Sequence, residues 1–275
     1  MDKQRYINFI KKDWLAENII TVYEEEDRAV YFADTWKYGA IAMKVNDNLE
    51  ELLNEYNALD GLRGDRCAAI YNGLGGEALI IERIIPGISL REELDLEKRL
   101  EAFCETFKVI HKIPKNEKMH YNYLEWLENA VDFCVDNNID SDLTEKMIIA
   151  RDIGKELFDK YPERYLLHGD LHHDNILLKN DGKYSIIDPK GVIGPKIFDI
   201  PRFVLNELDE NLNKTGKEHI LEVINKLASM LCYDEEDIRK LFFMETVLAN
   251  IWCVEDDEDI DESAINMAFE ILQNI

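Results

Sequence analysis

The chain is short of cysteine, short of basic residues and short of long apolar runs. Its 275 residues include five cysteines, Cys67, Cys104, Cys134, Cys232 and Cys253, an odd number with no pair at CxxC spacing. That argues against a disulfide framework or a structural zinc site and fits buried free thiols in a reducing compartment. Lys and Arg total 32 against 57 Asp and Glu, a formal charge of −25. A field of that sign repels phosphate backbones and anionic headgroups, which argues against a nucleic-acid or membrane-surface binder and favours a cationic partner near an acidic cleft. No apolar run approaches the ~20 residues that span a bilayer. The N-terminal MDKQRYINFIKKDW mixes charges and lacks an apolar signal core. The expectation is a soluble, cytoplasmic protein with neither membrane nor nucleic-acid partners; the sequence carries no signal of oligomeric state.

What is present is an ordinary core-forming fraction, 46% hydrophobic, in a length that suits one domain of two lobes or two small domains. The first third reads as strands. Ile19–Tyr23 and Arg28–Ala33 flank the acidic turn Glu24–Asp27, and Gly39–Val45 (GAIAMKV) is a third strand with a lysine near its end. Leu49, Leu52, Leu53, Tyr56 and Leu59 then recur at helical spacing behind a capping Asp47 or Asn48. Cys67–Tyr71 and Glu77–Ile84 read as two more strands around a turn with Gly73, Gly75 and Gly76. Pro86-Gly87 looks like a linker. Beyond it, amphipathic helical segments dominate at Leu90–His111, Tyr121–Asn137, Asp142–Tyr161, Ile197–Asp209, His219–Leu231, Glu235–Val254 and Ala264–Ile275. The expected class is α+β and bilobal, with a small β-rich lobe over residues 1–85, a larger helical lobe over 86–275 and a cleft between them.

Polar chemistry concentrates in Leu167-His168-Gly169-Asp170-Leu171-His172-His173-Asp174-Asn175, framed by the apolar runs Tyr165–Leu167 and Ile176–Leu178. A hairpin turn, Asn180-Asp181-Gly182, follows. It would return the chain so that Asp188, in Ile186-Ile187-Asp188-Pro189, meets Asn175. Phosphoryl transfer needs a positioned hydroxyl and neutralised phosphate charge. Asp170 suits the first task, orienting an acceptor hydroxyl and taking its proton. Asn175 and Asp188 supply hard oxygen ligands for Mg²⁺. The competing reading of the His and Asp residues as a metallohydrolase cluster is disfavoured, because no HxHxDH arrangement occurs.

HGDLHHDNILL followed by IIDP resembles the catalytic and metal motifs of the aminoglycoside phosphotransferases, which share a bilobal fold with protein kinases. The string IIDPKGVIG…FDI and the segment ALIIERIIPGISL resemble the streptomycin and hydroxyurea phosphotransferase branch. The resemblance implies an ATP- or GTP-dependent kinase using Mg²⁺. Asp170 would be catalytic, and Asn175 and Asp188 would hold the metal. His168 would brace the loop and Asp199 would support it from the next helix. Lys44 would contact the nucleotide phosphates, paired with Glu55, and backbone groups at Glu82–Ile84 would read the adenine edge. Two departures stand out: Gly194-Pro195-Lys196 lacks the acid of the family's G-D-P, and no glycine precedes Gly39 to form a phosphate-covering loop.

The acceptor implied is an aminoglycoside or a similar polar, cationic small molecule. Candidate contacts are Lys190, which follows Asp188-Pro189, and the acids Glu255 and Asp256 beyond Trp252. Asn206, Glu207 and Asp209 are equal candidates on the helix after Asp199. A kinase of the same fold acting on a housekeeping metabolite or protein, and a non-catalytic pseudokinase, are the alternatives.

Overall fold

A computed structural model describes residues 3–74, 77–208 and 216–274. Gly75 and Gly76 of the expected turn, and the candidate acid Asp209, lie outside the described residues. The chain begins with a helix that the charge pattern did not suggest, α1 (Lys3–Asp13), whose Tyr6 and Ile10 are buried. It is followed by β1 (Glu17–Glu24), β2 (Arg28–Thr35), β3 (Gly39–Asn46), α2 (Leu49–Leu62), β4 (Ile70–Leu74) and β5 (Ala78–Glu82), the strands forming one sheet in the order β1-β2-β3-β5-β4.

Period-two alternation gives this sheet two faces. Ala29, Tyr31 and Ala33 of β2, Ile41, Met43 and Val45 of β3, and Ala78 and Ile80 of β5 pack with Tyr6, Ile10 and Trp14 at the α1 side. The alternate residues Phe32, Ala42, Leu79 and Ile81 join the main core instead. Lys44 is two residues beyond Ala42, so it shares that inward face. On β1, Ile20 and Val22 remain about half exposed, at 54% and 51%. α2 starts where Asn48 accepts a hydrogen bond from Glu51 N at 3.1 Å, satisfying a helix-terminal donor.

The segment expected to be a linker is a strand, β6 (Pro86–Ser89), because its backbone finds a partner further along the chain. Then come α3 (Leu96–Ile110), β7 (Tyr121–Asn122), α4 (Tyr123–Asp136), α5 (Ser141–Lys160), β8 (Tyr165–Leu167), β9 (Ile176–Lys179), β10 (Tyr184–Ile186) and β11 (Val192–Gly194). Small sheets of order β10-β9-β6 and β7-β11-β8 form here. The helix read from Ile197 is interrupted. Pro201 starts α6 (Pro201–Leu205) at its first turn, with 3-10 turns at Lys196–Asp199 and Asn206–Leu208. A proline fits there because its missing N–H would have no helical partner anyway. α7 (Lys217–Leu231), α8 (Glu235–Glu255) and α9 (Glu262–Gln273) complete the described helical part. Buried Phe103, Phe203, Phe242 and Met244 are part of its core. Among the described residues no helix is long and apolar enough to cross a membrane.

Candidate active site

The loop after β8 is held by its own backbone and by Asp199. His168 is fully buried. Its Nε2 lies 2.8 Å from Ile187 O, and its Nδ1 accepts from Asp170 N at 3.1 Å. A carbonyl at one nitrogen and an N–H at the other require the neutral ring protonated at Nε2. Burial, which pushes the imidazole pKa down, favours the same state. The Asp199 carboxylate accepts from His168 N and Gly169 N, each at 2.8 Å, and from His111 Nε2 at 2.9 Å. Burial works against its charge, but His111 and the Gly169 N–H outweigh that and hold the carboxyl below its usual range.

Asn175 Nδ2 donates to Asp170 O at 2.9 Å and approaches Asp170 Oδ2 at 3.4 Å. Both partners are acceptors, so the amide orientation is fixed and its Oδ1 is left free of this anchor. The β9–β10 hairpin pairs Ile176 with Ile186, and Ile187 N donates to Asn175 O at 3.0 Å. This brings the next residue, Asp188, beside the loop. Asp188 has a left-handed backbone, φ 58°, a conformation that Asp and Asn tolerate better than most residues.

Lys44 Nζ bridges Asp188 Oδ1 at 2.5 Å and Glu55 Oε1 at 2.6 Å. Burial opposes the lysine's charge, yet the two carboxylates overcome it and raise its pKa. Burial likewise opposes ionisation of Asp188, yet Lys44 and Lys190 hold its carboxyl well below the usual range. Lys190 Nζ stands 3.9 Å from Asp188 Oδ2. An anionic oxygen pair that draws a lysine this close, with an amide oxygen nearby, is a donor set a hard cation could share. Among the described residues no group of three or more His, Cys, Asp or Glu could hold a metal by itself, so such a cation needs oxygens from a nucleotide or from water.

Asp170 and Asp188 open on a cleft of about 450 Å³. Glu50, Glu51 and Asn54 of α2 line one side, and Tyr121, Trp126 and Trp252 supply aromatic faces. Tyr121 OH donates to Glu50 Oε1. Trp126 and Trp252 meet edge to face, with centroids 5.5 Å apart. Arg202 of α6 reaches the floor of the cleft beside Asp170.

The sequence profile of the aminoglycoside/hydroxyurea antibiotic resistance kinases matches residues 36–257. The chain belongs to that family. It is therefore a kinase that phosphorylates a hydroxyl group of a small molecule. A search of curated proteins found no match. Solved structures share its protein-kinase-like fold. One is a thermostable mutant of the aminoglycoside phosphotransferase APH(4)-Ia, in ternary complex with AMP-PNP and hygromycin B. It superposes with TM-score 0.72 at 13% identity, covering 99% of this chain and 98% of that one. The choline kinase LicA from Streptococcus pneumoniae gives 0.70 at 15%, covering 99% of each. A Plasmodium vivax ethanolamine kinase gives 0.67 at 15%, covering 100% of this chain and 88% of that one.

In this kinase Lys44, Glu55, Asp170, Asn175, Asp188 and Lys190 converge, while His168 and Asp199 stand directly behind them. Other expectations need correction. The Glu82 and Arg83 N–H groups are spent on Ala69 O at 2.7 Å and Ala40 O at 3.3 Å, and the Glu82 carboxylate pairs with Lys179 at 3.1 Å. Neither of those two N–H groups is free to read an adenine edge. Glu207 is no acceptor contact. It is fully buried and receives Arg99 Nε and Nη2, each at 2.7 Å, His173 Nε2 at 2.8 Å and His219 Nε2 at 2.9 Å. Glu255 and Asp256 are exposed at the end of α8 and do not line the cleft, because the helix terminates there and Asp256 N caps Trp252 O. The cleft's acidic lip comes from Glu50 and Glu51 instead. Arg202, Glu245 and His111 escaped sequence reading altogether: Arg202 and Glu245 lie in apolar helical stretches where a lone charge looks like a solvated position, and His111 stands just past the end of α3.

Proposed function

We propose that this kinase transfers the γ-phosphoryl group of ATP to a hydroxyl of an aminoglycoside. The reading rests above all on the cleft, where Asp170 faces a space bounded by the carboxylates of Glu50, Glu51 and Glu55 of α2 and three aromatic side chains. Aromatic faces and carboxylates together attract an amine-bearing ring, by cation–π contact and by charge. Hygromycin B, bound in the APH(4)-Ia complex, is a precedent in the same fold for an aminoglycoside beside a nucleotide analogue.

Asn175 and Asp188 would hold Mg²⁺, whose chemistry is to neutralise charge on the phosphate oxygens. Lys44, kept cationic by Glu55 and Asp188, is placed to meet phosphate oxygens, and Lys190 stands at the opposite edge of the same carboxylate. Asp170 accepts the hydrogen bond of the acceptor hydroxyl and orients it for in-line attack; the proton passes to its carboxylate as the new P–O bond forms and the bond from the γ-phosphorus to the bridging oxygen breaks, releasing ADP. In a loose transition state positioning and electrostatics carry most of the rate, with little demand on the base strength of Asp170. The rigid support from His168 and Asp199 serves that positioning.

The same aromatic and acidic lining would also accept a small amino alcohol, the substrate type that names the choline and ethanolamine kinases of like fold. One assay separates the readings: ADP release with ATP or GTP across aminoglycosides, choline, ethanolamine and uncharged alcohols. Turnover restricted to aminoglycosides and abolished in Asp170→Ala supports the proposal. Turnover with amino alcohols alone replaces the substrate, and acceptor-independent silence would leave a pseudokinase.

A further inference from the structure

The buried charges not used above converge on one side chain. Arg202 Nε lies 3.2 Å from Asp170 Oδ1 and 2.9 Å from Glu245 Oε1. These are ion-pair contacts and not aligned hydrogen bonds, since Nε has no hydrogen-bond partner. Glu245, only 2% exposed in the middle of α8, is fixed in turn by Tyr123 OH, which donates to its Oε2 at 2.6 Å. Above the guanidinium stands Trp252, with its ring centroid 5.3 Å away.

We infer that Arg202 is a positioning residue for the reaction: held by Glu245, Tyr123 and Trp252, it fixes the Asp170 carboxylate toward the acceptor. The inference rests on the reading of Asp170 given above.

Three features favour this over a purely structural pair. A buried Arg–Glu pair is electrically complete without a third partner, and apolar residues of similar size often serve stability as well or better. Here the pair is placed so that its cation reaches the cleft and a second carboxylate. Second, Asp199, at the end of the 3-10 turn before α6, and Arg202, in the first turn of α6, are three residues apart. Asp199 holds the backbone N–H groups of residues 168 and 169, and Arg202 holds the side chain of residue 170. One turn of chain thus grips the loop at both levels. Third, the other contact on the outer oxygen of Asp170 is weak. Asn175 Nδ2 stands 3.4 Å and His172 Nε2 3.7 Å from Oδ2. Without Arg202, the carboxylate would lose its only close cation among the described residues and could rotate. Misplacing a reacting group by about 1 Å can cost roughly 100-fold in rate.

The test measures kcat and the KM values for ATP and acceptor in Arg202→Met, Arg202→Lys and Arg202→Ala, with thermal unfolding alongside. Arg202→Met leaves Glu245 buried and unpaired, so Arg202→Met/Glu245→Leu is made as well, removing both charges and keeping the space filled. The expected result is a fall in kcat of about 100-fold in every folded variant lacking the cation, with both KM values within about threefold of the parent. Arg202→Lys should recover part of the loss. Because Arg202 lines the cleft, added guanidinium ion should raise the kcat of Arg202→Ala at concentrations that leave the parent unaffected. A folded double variant with parental kcat overturns the inference, as does loss confined to acceptor KM, which would make Arg202 a substrate contact. Asp170→Asn separates the two levels: if it keeps parental turnover, the reading of Asp170 fails, whereas an inactive Asp170→Asn beside a fully active double variant refutes the role of Arg202 alone.

Discussion

Lys44 and Asp188, 144 residues apart in the chain, meet at 2.5 Å where the β3 strand faces the segment after the β9–β10 hairpin. Glu55 holds the lysine from the other side at 2.6 Å. The contact ties the first sheet to the segment that follows the β9–β10 hairpin, so it reports on both the charge of the site and the closeness of its two halves. Lys44→Met should lower kcat/KM for ATP by about 10²–10³-fold, the usual cost of removing one preorganised charge donor. Asp188→Asn should abolish the increase in melting temperature produced by ATP with Mg²⁺, measured by thermal unfolding with and without the nucleotide. A parental ligand-induced shift in Asp188→Asn would contradict its assignment as a metal ligand.

The cleft lining makes a separate prediction about the acceptor. Glu50→Gln/Glu51→Gln should raise KM for an amine-bearing acceptor by about tenfold, since each charge near the mouth contributes on the order of 1 kcal/mol or less at partly exposed sites. Trp126→Ala should act in the same direction through the lost aromatic face. KM for ATP should stay unchanged in both. Equal increases in the two KM values would show that these residues shape the protein rather than read the acceptor.

Stability should fall on the acid side. Burial pushes His168, His172 and His173 below the ordinary histidine value, so the unfolded chain takes up protons that the folded chain refuses. Their contribution is complete above about pH 6.5 and declines as pH falls through that value. Glu207 acts in the same direction at lower pH. Burial opposes its charge, but Arg99, His173 and His219 hold its carboxyl well below the usual range. It therefore stabilises the fold above about pH 4.3 and loses that contribution as the pH drops further. The melting temperature should be nearly level between pH 7 and 8 and decline below 6.5. Glu207→Gln should cost about 3–5 kcal/mol in denaturant unfolding at neutral pH, because it strands Arg99 in the core. An unchanged midpoint would mean that water reaches the cluster.

How much of this was legible in the sequence follows from how local each feature is. The segment from His168 to Asn175 and the Asn180–Gly182 turn announce themselves because the groups that meet lie within one loop and one hairpin. The run GAIAMKV likewise put Lys44 near the end of a strand before a capped helix. The rest depends on pairing at a distance. Glu245 sits in Phe242–Asn250, and one-dimensional reading gives no reason for an acid there to be buried; its reason is Arg202, from another helix. Glu207 looked like an acceptor contact because an acid after Asp199 is near the site in sequence, while Arg99 and His219, which draw it inward, come from α3 and α7. The role of α1 was hidden for the same cause: its short apolar stripe is meaningful only once the outer face of the sheet exists to receive it.

α2 comes close to the residue after Lys190 at Ala58. Gly191 has φ 72°, and a Cβ placed on it would lie 2.5 Å from the Ala58 Cβ. Ala58 is three residues beyond Glu55 on the same helix, so pushing the helix outward at Ala58 draws Glu55 away from Lys44. Gly191→Ala should therefore destabilise the protein by about 1–3 kcal/mol, from left-handed backbone strain and overlap together. It should also lower kcat/KM for ATP, although residue 191 touches neither substrate. Adding Ala58→Gly separates the two causes. It removes the overlap but leaves the strain, and it costs about 1 kcal/mol in helix propensity. The double variant should regain kcat/KM while remaining no more stable than Gly191→Ala. If activity stays low after the overlap is relieved, the loop conformation itself, and not the placement of α2, is what Gly191 protects.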